Sequence, residues 1–156
     1  RGRLSLRATL PASMSGRATT GLLIAALLGV AVAGVSLGAR PAAPTTVAPT
    51  LAVDGDRVVL THRAGDPLDV RRLDVLVRVD GDPLARQPPV PFFSAHGFHA
   101  GPHGPFNARA DPTWTPGERA SFRVASTNRP PIVAGARVTV ELRRGGRRLA
   151  VLSAVA

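Results

Sequence analysis

The sequence contains no cysteine, no lysine and no tyrosine, and it has a single tryptophan. The absence of cysteine excludes a disulfide framework and any thiol chemistry. All 20 basic residues are therefore arginines, whose guanidinium groups stay charged and bind carboxylates or phosphates through two parallel hydrogen bonds. The scarcity of aromatic side chains argues against a stacking platform for single-stranded nucleic acid, so no nucleic-acid partner is expected.

Acidic residues are missing from the N-terminal third of the chain, where none precedes Asp54. Four arginines stand before a run of 22 uncharged residues, Ala18 to Ala39. As a helix this run would be roughly 33 Å long, and the hydrocarbon core of a bilayer is about 30 Å thick. The pattern predicts a basic leader over residues 1–17 and a transmembrane helix over residues 18–40. Because basic flanks stay on the cytoplasmic side, the C-terminal domain is expected outside the cell membrane.

Three interpretations of the apolar run remain open. A cleaved secretory signal has an apolar core of about 7–15 residues, which is shorter than this run. An uncleaved signal anchor requires nothing beyond what the sequence contains. A pilin-type signal would lose the basic leader and keep the apolar helix.

Small residues recur every four positions within the run, at Gly21, Ala25, Gly29 and Ala33. On a helix they share one face, where the lack of bulk lets a neighbouring helix approach closely. This face predicts self-association in the membrane or in a filament core. A segment rich in alanine and glycine also produces such spacing by composition alone.

Beyond residue 40 the pattern changes to short alternating segments separated by glycine and proline. Residues 41–50 are rich in proline, alanine and threonine and predict an extended linker. Residues 51–156 predict an extracellular antiparallel β-sandwich. The predicted strands are Arg57–Thr61, Leu73–Val79, Ala120–Ala125, Arg137–Arg143 and Arg147–Ala154.

Turns and an irregular segment complete this domain. Gly-containing turns are predicted at residues 54–56, 80–81 and 145–146, between the strands. Residues 87–116 show no period, and a loop of this length is usually functional or contains an unrecognised element.

Three histidines in the irregular segment, His96, His99 and His103, are weak candidates for a metal site, since imidazole is the commonest nitrogen ligand of metals. No carboxylate or thiol lies within this part of the segment; the nearest carboxylate is Asp111. We therefore predict no metal and no other cofactor.

Two charged motifs in the β domain are expected to be turns. The Asp-Gly-Asp sequences at 54–56 and 80–82 are expected to be hairpin turns rather than Ca²⁺ ligands, because no EF-hand loop surrounds them. The arginine-rich segment 143–148 is expected to be a solvated hairpin tip, or otherwise a contact for an anion or a surface polymer. No nucleophile elbow, phosphate-binding loop or pair of catalytic carboxylates is recognisable in the sequence. The protein is not expected to be an enzyme.

The order of segments, a basic leader, an apolar helix and then a small β domain, resembles that of haloarchaeal proteins with a type IV pilin N-terminal domain. The likeness extends over about residues 17–156, and its clearest part is the stretch 54–69, Asp-Gly-Asp-Arg-Val-Val-Leu-Thr-His-Arg-Ala-Gly-Asp-Pro-Leu-Asp. The stretches 73–82, 114–118 and 133–140 are similar to segments of that family in which a turn leads into a later strand or follows it. The glutamate found near position five of bacterial pilin helices is replaced here by Leu22 or Leu23.

The resemblance implies a structural subunit of an archaeal surface filament that functions in adhesion or surface attachment. It implies processing by a prepilin-type (class III) signal peptidase at Arg17, with Ala18 or Thr19 as the mature N-terminus. The expected partners are the membrane, the peptidase and further copies of the chain. The alternative is a signal-anchored extracellular binding domain that does not polymerise.

Overall fold

The computed structural model describes residues 44–156, and this part of the chain is built mainly from antiparallel strands. The prediction of a mainly β, antiparallel domain is therefore confirmed. Within these residues no helix has the length and apolar character needed to span a bilayer. The predicted leader, transmembrane helix, processing residues and small-residue face lie outside the described residues.

The strands are β1 (Val47–Asp54), β2 (Arg57–Gly65), β3 (Leu68–Asp69), β4 (Leu73–Val79), β5 (Asp82–Pro83), β6 (Thr113–Trp114), β7 (Arg119–Arg123), β8 (Arg137–Arg144) and β9 (Arg147–Val155).

Two larger sheets and one small sheet are formed by residues 44–156. One larger sheet has the strand order β1-β2-β7, and the other has the order β5-β4-β8-β9. The short strands β3 and β6 pair with each other. The turn at Asp80-Gly81 has positive φ at both residues, 52° and 94°, as a tight hairpin connection requires.

The core contains the inward-facing residues of both larger sheets. Strand β4 alternates between buried and more exposed residues, as its sequence predicted, with Val75, Val77 and Val79 at most 2 % exposed. Alternate side chains of a strand point to opposite faces, so the odd-numbered valines all face inward. Strands β2, β7 and β8 contribute further buried residues to the same hydrophobic cluster, namely Val58, Leu60, Ala120, Phe122, Val138, Val140 and Leu142.

The predicted linker is too long, because β1 begins at Val47 and the linker was predicted to extend to residue 50. Pro49 concealed this strand in the sequence, since proline lacks the N–H that a sheet ladder uses. The structure accommodates Pro49 because β1 is the edge strand of its sheet and because the pairing with β2 is irregular between Ala48 and Pro49.

The irregular segment 87–116 is an ordered part of the core. It contains a 3₁₀ turn at Gly104–Phe106 and the strand β6. Isolated bridges connect it to the rest of the domain, including Phe98 to Val124 and His103 to Ser121. Four of its aromatic side chains are buried in the same cluster as the sheet residues, namely Phe92, Phe98, Phe106 and Trp114.

Candidate functional site

The outer edge of β7 is covered by a short stretch of the irregular segment, residues 97–103. The backbone N–H of His99 donates to the carbonyl of Arg123 (3.0 Å). His103 and Ser121 exchange two backbone hydrogen bonds of 2.8 and 3.1 Å. Between these anchor points the covering stretch has more residues than the strand beneath it. It therefore bulges, with Gly101 in the left-handed region at φ +73°.

A cavity of about 150 Å³, which we call the β7 cavity, lies beneath this bulge. Arg57 stands directly opposite Arg123 in the β2–β7 pairing, and both residues line the cavity. The bulge contributes two imidazoles, and β7 contributes a hydroxyl from a residue that is only 6 % exposed. The lining residues are Arg57, His99, Ala100, Gly101, Pro102, His103, Ser121, Phe122 and Arg123.

Asp56 does not line the β7 cavity, but it forms an ion pair with Arg123, one of the two arginines that do. Its carboxylate accepts hydrogen bonds from Nε and an Nη of Arg123 at 3.0 and 2.9 Å. This hydrogen-bonded pair holds the pKa of the Asp56 carboxyl below its ordinary value, and the charge of the guanidinium acts in the same direction. Asp56 is therefore ionised at neutral pH. Any stability that this pair contributes is present above the ordinary aspartate pKa and is lost as the pH falls through the lowered one.

His99 separates the β7 cavity from a neighbouring cavity of about 190 Å³ and lines both. Its Nε2 lies 3.4 Å from the carboxylate of Asp56, a residue that lines the neighbouring cavity but not the β7 cavity. Protonated His99 would therefore form an ion pair with Asp56, in addition to the one formed by Arg123. The Asp56 carboxylate thus contacts two residues that line the β7 cavity, Arg123 and His99.

The three candidate metal ligands do not all line the same cavity. His99 and His103 line the β7 cavity, whereas His96 lines another cavity, of about 320 Å³, with Ala85, Arg86 and Gln87. Among residues 44–156, no group of three or more histidine, cysteine or acidic side chains is placed so that it could hold a metal ion.

We expect Zn²⁺ and Cu²⁺ to leave the melting temperature of the protein unchanged at about 1 mM metal. A site with micromolar affinity would add about 4 kcal/mol of stability at a thousandfold excess, which a thermal melt detects easily. A rise in melting temperature that His99→Ala abolishes would contradict this prediction and would place a metal at the bulge.

The arginine-rich hairpin between β8 and β9 is partly neutralised within the domain. Glu141 accepts hydrogen bonds from Arg143 (2.7 Å) and Arg148 (2.9 Å). The bond from Arg143 and then that from Arg148 lower the pKa of the Glu141 carboxyl, which keeps it charged. Arg144 donates to the hydroxyl of Thr45 at 3.3 Å. The hairpin turn was predicted correctly, and two of its four arginines are paired with an acid.

The Asp-Gly-Asp sequences are hairpin turns, as predicted. The first joins β1 to β2 and supplies Asp56 to the ion pair with Arg123. In the second, the carboxylate of Asp80 accepts a hydrogen bond of 2.8 Å from the backbone N–H of Arg137. One acidic side chain at each turn, Asp56 or Asp80, therefore has a partner inside the domain.

His62 has a structural position in the core. It is fully buried, and its ring meets that of Trp114 edge to face, with centroids 5.3 Å apart. Its Nε2 lies 2.9 Å from the carbonyl oxygen of Asp66, so this nitrogen must be the donor. Its Nδ1 is buried without a hydrogen-bond partner among the described residues. His62 thus joins the end of β2 to the aromatic core.

Sequence reasoning identified the two histidines of the β7 cavity but missed Arg57, Ser121 and Arg123. No protein-family model matches the chain, and a comparison with curated proteins gives no significant match.

Proposed function

We propose that this protein is an exported, membrane-anchored structural subunit of a surface filament, resembling the type IV pilins of archaea. In this proposal residues 18–40 form an apolar helix that associates with helices of other copies. The β-sandwich domain lies outside the cell and mediates adhesion or surface attachment.

The observation that carries the proposal is the short distance in sequence between the apolar run and the folded domain. The run ends at Ala39, and β1 begins at Val47. An uncharged run that is long enough to cross a bilayer therefore continues into the first strand with only seven intervening residues, 40–46. A helix followed almost at once by a β domain is the arrangement on which the resemblance to pilins rests.

The charge distribution supports the proposed orientation. The basic residues before the apolar run favour a cytoplasmic N-terminus, which leaves the β domain outside. The domain has no cysteine, so its stability outside the cell does not depend on disulfides. Its sheets share one hydrophobic core, which stabilises the domain instead of disulfides.

The position of the mature N-terminus tests the proposal. We expect the protein purified from its native membrane to begin at Ala18 or Thr19 and to retain residues 18–40, because a pilin-type peptidase removes only the leader. N-terminal sequencing combined with intact-mass measurement distinguishes the outcomes. A mature chain that begins near Arg40 would identify an ordinary secretory signal and exclude the filament. An unprocessed N-terminus would favour the signal anchor.

A second function, a signal-anchored binding domain that does not polymerise, is favoured by the β7 cavity. This cavity gathers arginine, histidine and serine side chains beneath an ordered bulge, which is the kind of concave polar site that binds ligands. The two functions differ in whether copies of the helix associate.

A further inference from the structure

We propose that the β7 cavity binds an oxyanion, namely a phosphate, sulfate or carboxylate group. Its polar side chains can all donate hydrogen bonds through guanidinium, imidazole or hydroxyl groups, and no carboxylate lines it among residues 44–156. This inference does not depend on whether the chain polymerises.

Arg57 provides the uncompensated positive charge. It is half-buried, and the ion pairs formed within the described part of the chain do not include it. Arg123, which faces the same cavity, is already paired with Asp56. Partial burial of an unpaired charge is unfavourable, and a bound anion would relieve that cost. The charge of the site therefore favours an anion over a neutral or cationic ligand.

The kinds of donor fit an oxyanion better than chloride. A guanidinium group offers two parallel N–H donors that match two oxygens of a phosphate, sulfate or carboxylate. Ser121 also lines the cavity, its backbone is held in place by pairing with His103, and its side chain carries a hydroxyl donor. Residues with donor groups from β2, β7 and the bulge thus line one cavity.

The size of the cavity limits what enters it. Pockets that enclose a whole small molecule usually measure about 300–1,000 Å³, and the β7 cavity measures about 150 Å³. It has room for one anionic group with some water. The ligand is therefore either a free inorganic anion or the acidic end group of a larger molecule, such as a phosphorylated or sulfated sugar.

Calorimetric titration of the full chain in neutral detergent with inorganic phosphate and with sulfate tests the proposal. The ionic strength is held constant with chloride, which removes non-specific screening effects. We expect saturable binding with a dissociation constant of about 1 mM or tighter. Arg57→Gln should weaken binding by about tenfold or more, because it removes a charged donor that has no substitute.

Arg119→Gln is the matched control. Arg119 lies on β7 four residues before Arg123, so it points to the same face of the sheet, yet it does not line the cavity. We expect this control to change the dissociation constant by less than about twofold, as is usual for an exposed surface charge. His103→Gln should weaken binding less than Arg57→Gln, and melting temperatures verify that all variants are folded.

Two results would overturn the proposal: no saturable heat up to about 20 mM anion, or equal losses for Arg57→Gln and Arg119→Gln. Titration with glucose 6-phosphate shows whether the ligand is a free inorganic anion or the acidic end group of a larger molecule. Binding at least as tight as that of inorganic phosphate indicates an end group on a larger molecule, and weaker binding indicates a free anion. Neither variant alters the mature N-terminus, so failure here leaves the filament proposal standing.

Discussion

Replacing Phe106 by alanine is expected to lower the free energy of unfolding by about 3–5 kcal/mol, the usual cost of removing a buried phenylalanine side chain. Phe106 is fully buried, and its ring centroid lies 5.6 Å from that of Trp114 and 6.2 Å from that of Phe122. Trp114 is the only tryptophan in the chain, so its fluorescence follows denaturant unfolding without added labels. A loss of this size would identify segment 87–116 as part of the core.

Phe93→Ala is the control for this prediction. Phe93 belongs to the same segment but is 42 % exposed, and its main partner is the guanidinium of Arg109, 4.0 Å from the ring centroid. A cation–π contact at an exposed site contributes about 0.5–1 kcal/mol. We therefore expect a loss of at most about 1 kcal/mol. Similar losses for the two variants would mean that the segment packs more loosely than the structure describes.

Replacing Gly29 by leucine is expected to abolish filaments or oligomers while leaving the β domain exported and folded. Leucine is both apolar and a good helix former, so membrane insertion should be retained. Its bulk would stand on the face formed by Gly21, Ala25, Gly29 and Ala33, and it would push a neighbouring helix outward. Filament counts by electron microscopy, together with crosslinking in membranes, measure the effect.

Ala26→Leu is the corresponding control. In a helix, position 26 lies about 60° from position 29, at the side of the small-residue face. The change again replaces a small residue by leucine within the same apolar run, so hydropathy and helix propensity are closely matched. We expect most assembly to remain. Equal tolerance of both substitutions would show that the spacing reflects composition alone, and the signal-anchored binding domain would become the better interpretation.

The strands that the sequence predicted well are those whose side chains alternate between two different environments. Strand β4 is the clearest example, because every second residue from Leu73 to Val79 is buried. Glycine-containing turns marked the ends of β4 and β8, since their positive φ values suit glycine. Strand β1 escaped detection because Pro49 is typical of linkers and only the edge position makes it acceptable in a strand.

The aromatic residues of segment 87–116 could not be predicted as core residues. They have no common period, because the backbone between them follows neither a helix nor a strand for long. Their burial depends on bridges to partners distant in sequence, such as Phe98 to Val124. Hydrophobic periodicity reports only on regular elements, so it does not detect a core built from an irregular chain.

Only part of the candidate site could be predicted from the sequence, for a related reason. The histidines are close together in the sequence, so their clustering could be recognised there. Asp56 and Arg123 are separated by 67 positions and meet only because of the β2–β7 register. Register depends on which faces are buried across a pair of strands, and a single sequence does not specify which strands pair. Arginines at strand ends were the available signal, and they are too common in this chain to be selective.

Strand β1 has a consequence for neighbouring copies of the protein. An uncovered edge strand is a template onto which another chain can add its own strand. Pro49 removes one donor from β1, and the irregularity beside it distorts the strand, so this edge is poorly suited to extension. At the β1 edge, copies of the domain in the proposed filament would therefore meet through side chains rather than by exchanging backbone hydrogen bonds. In the filament proposed above, subunits joined in this way could separate again without unfolding, so assembly would be reversible.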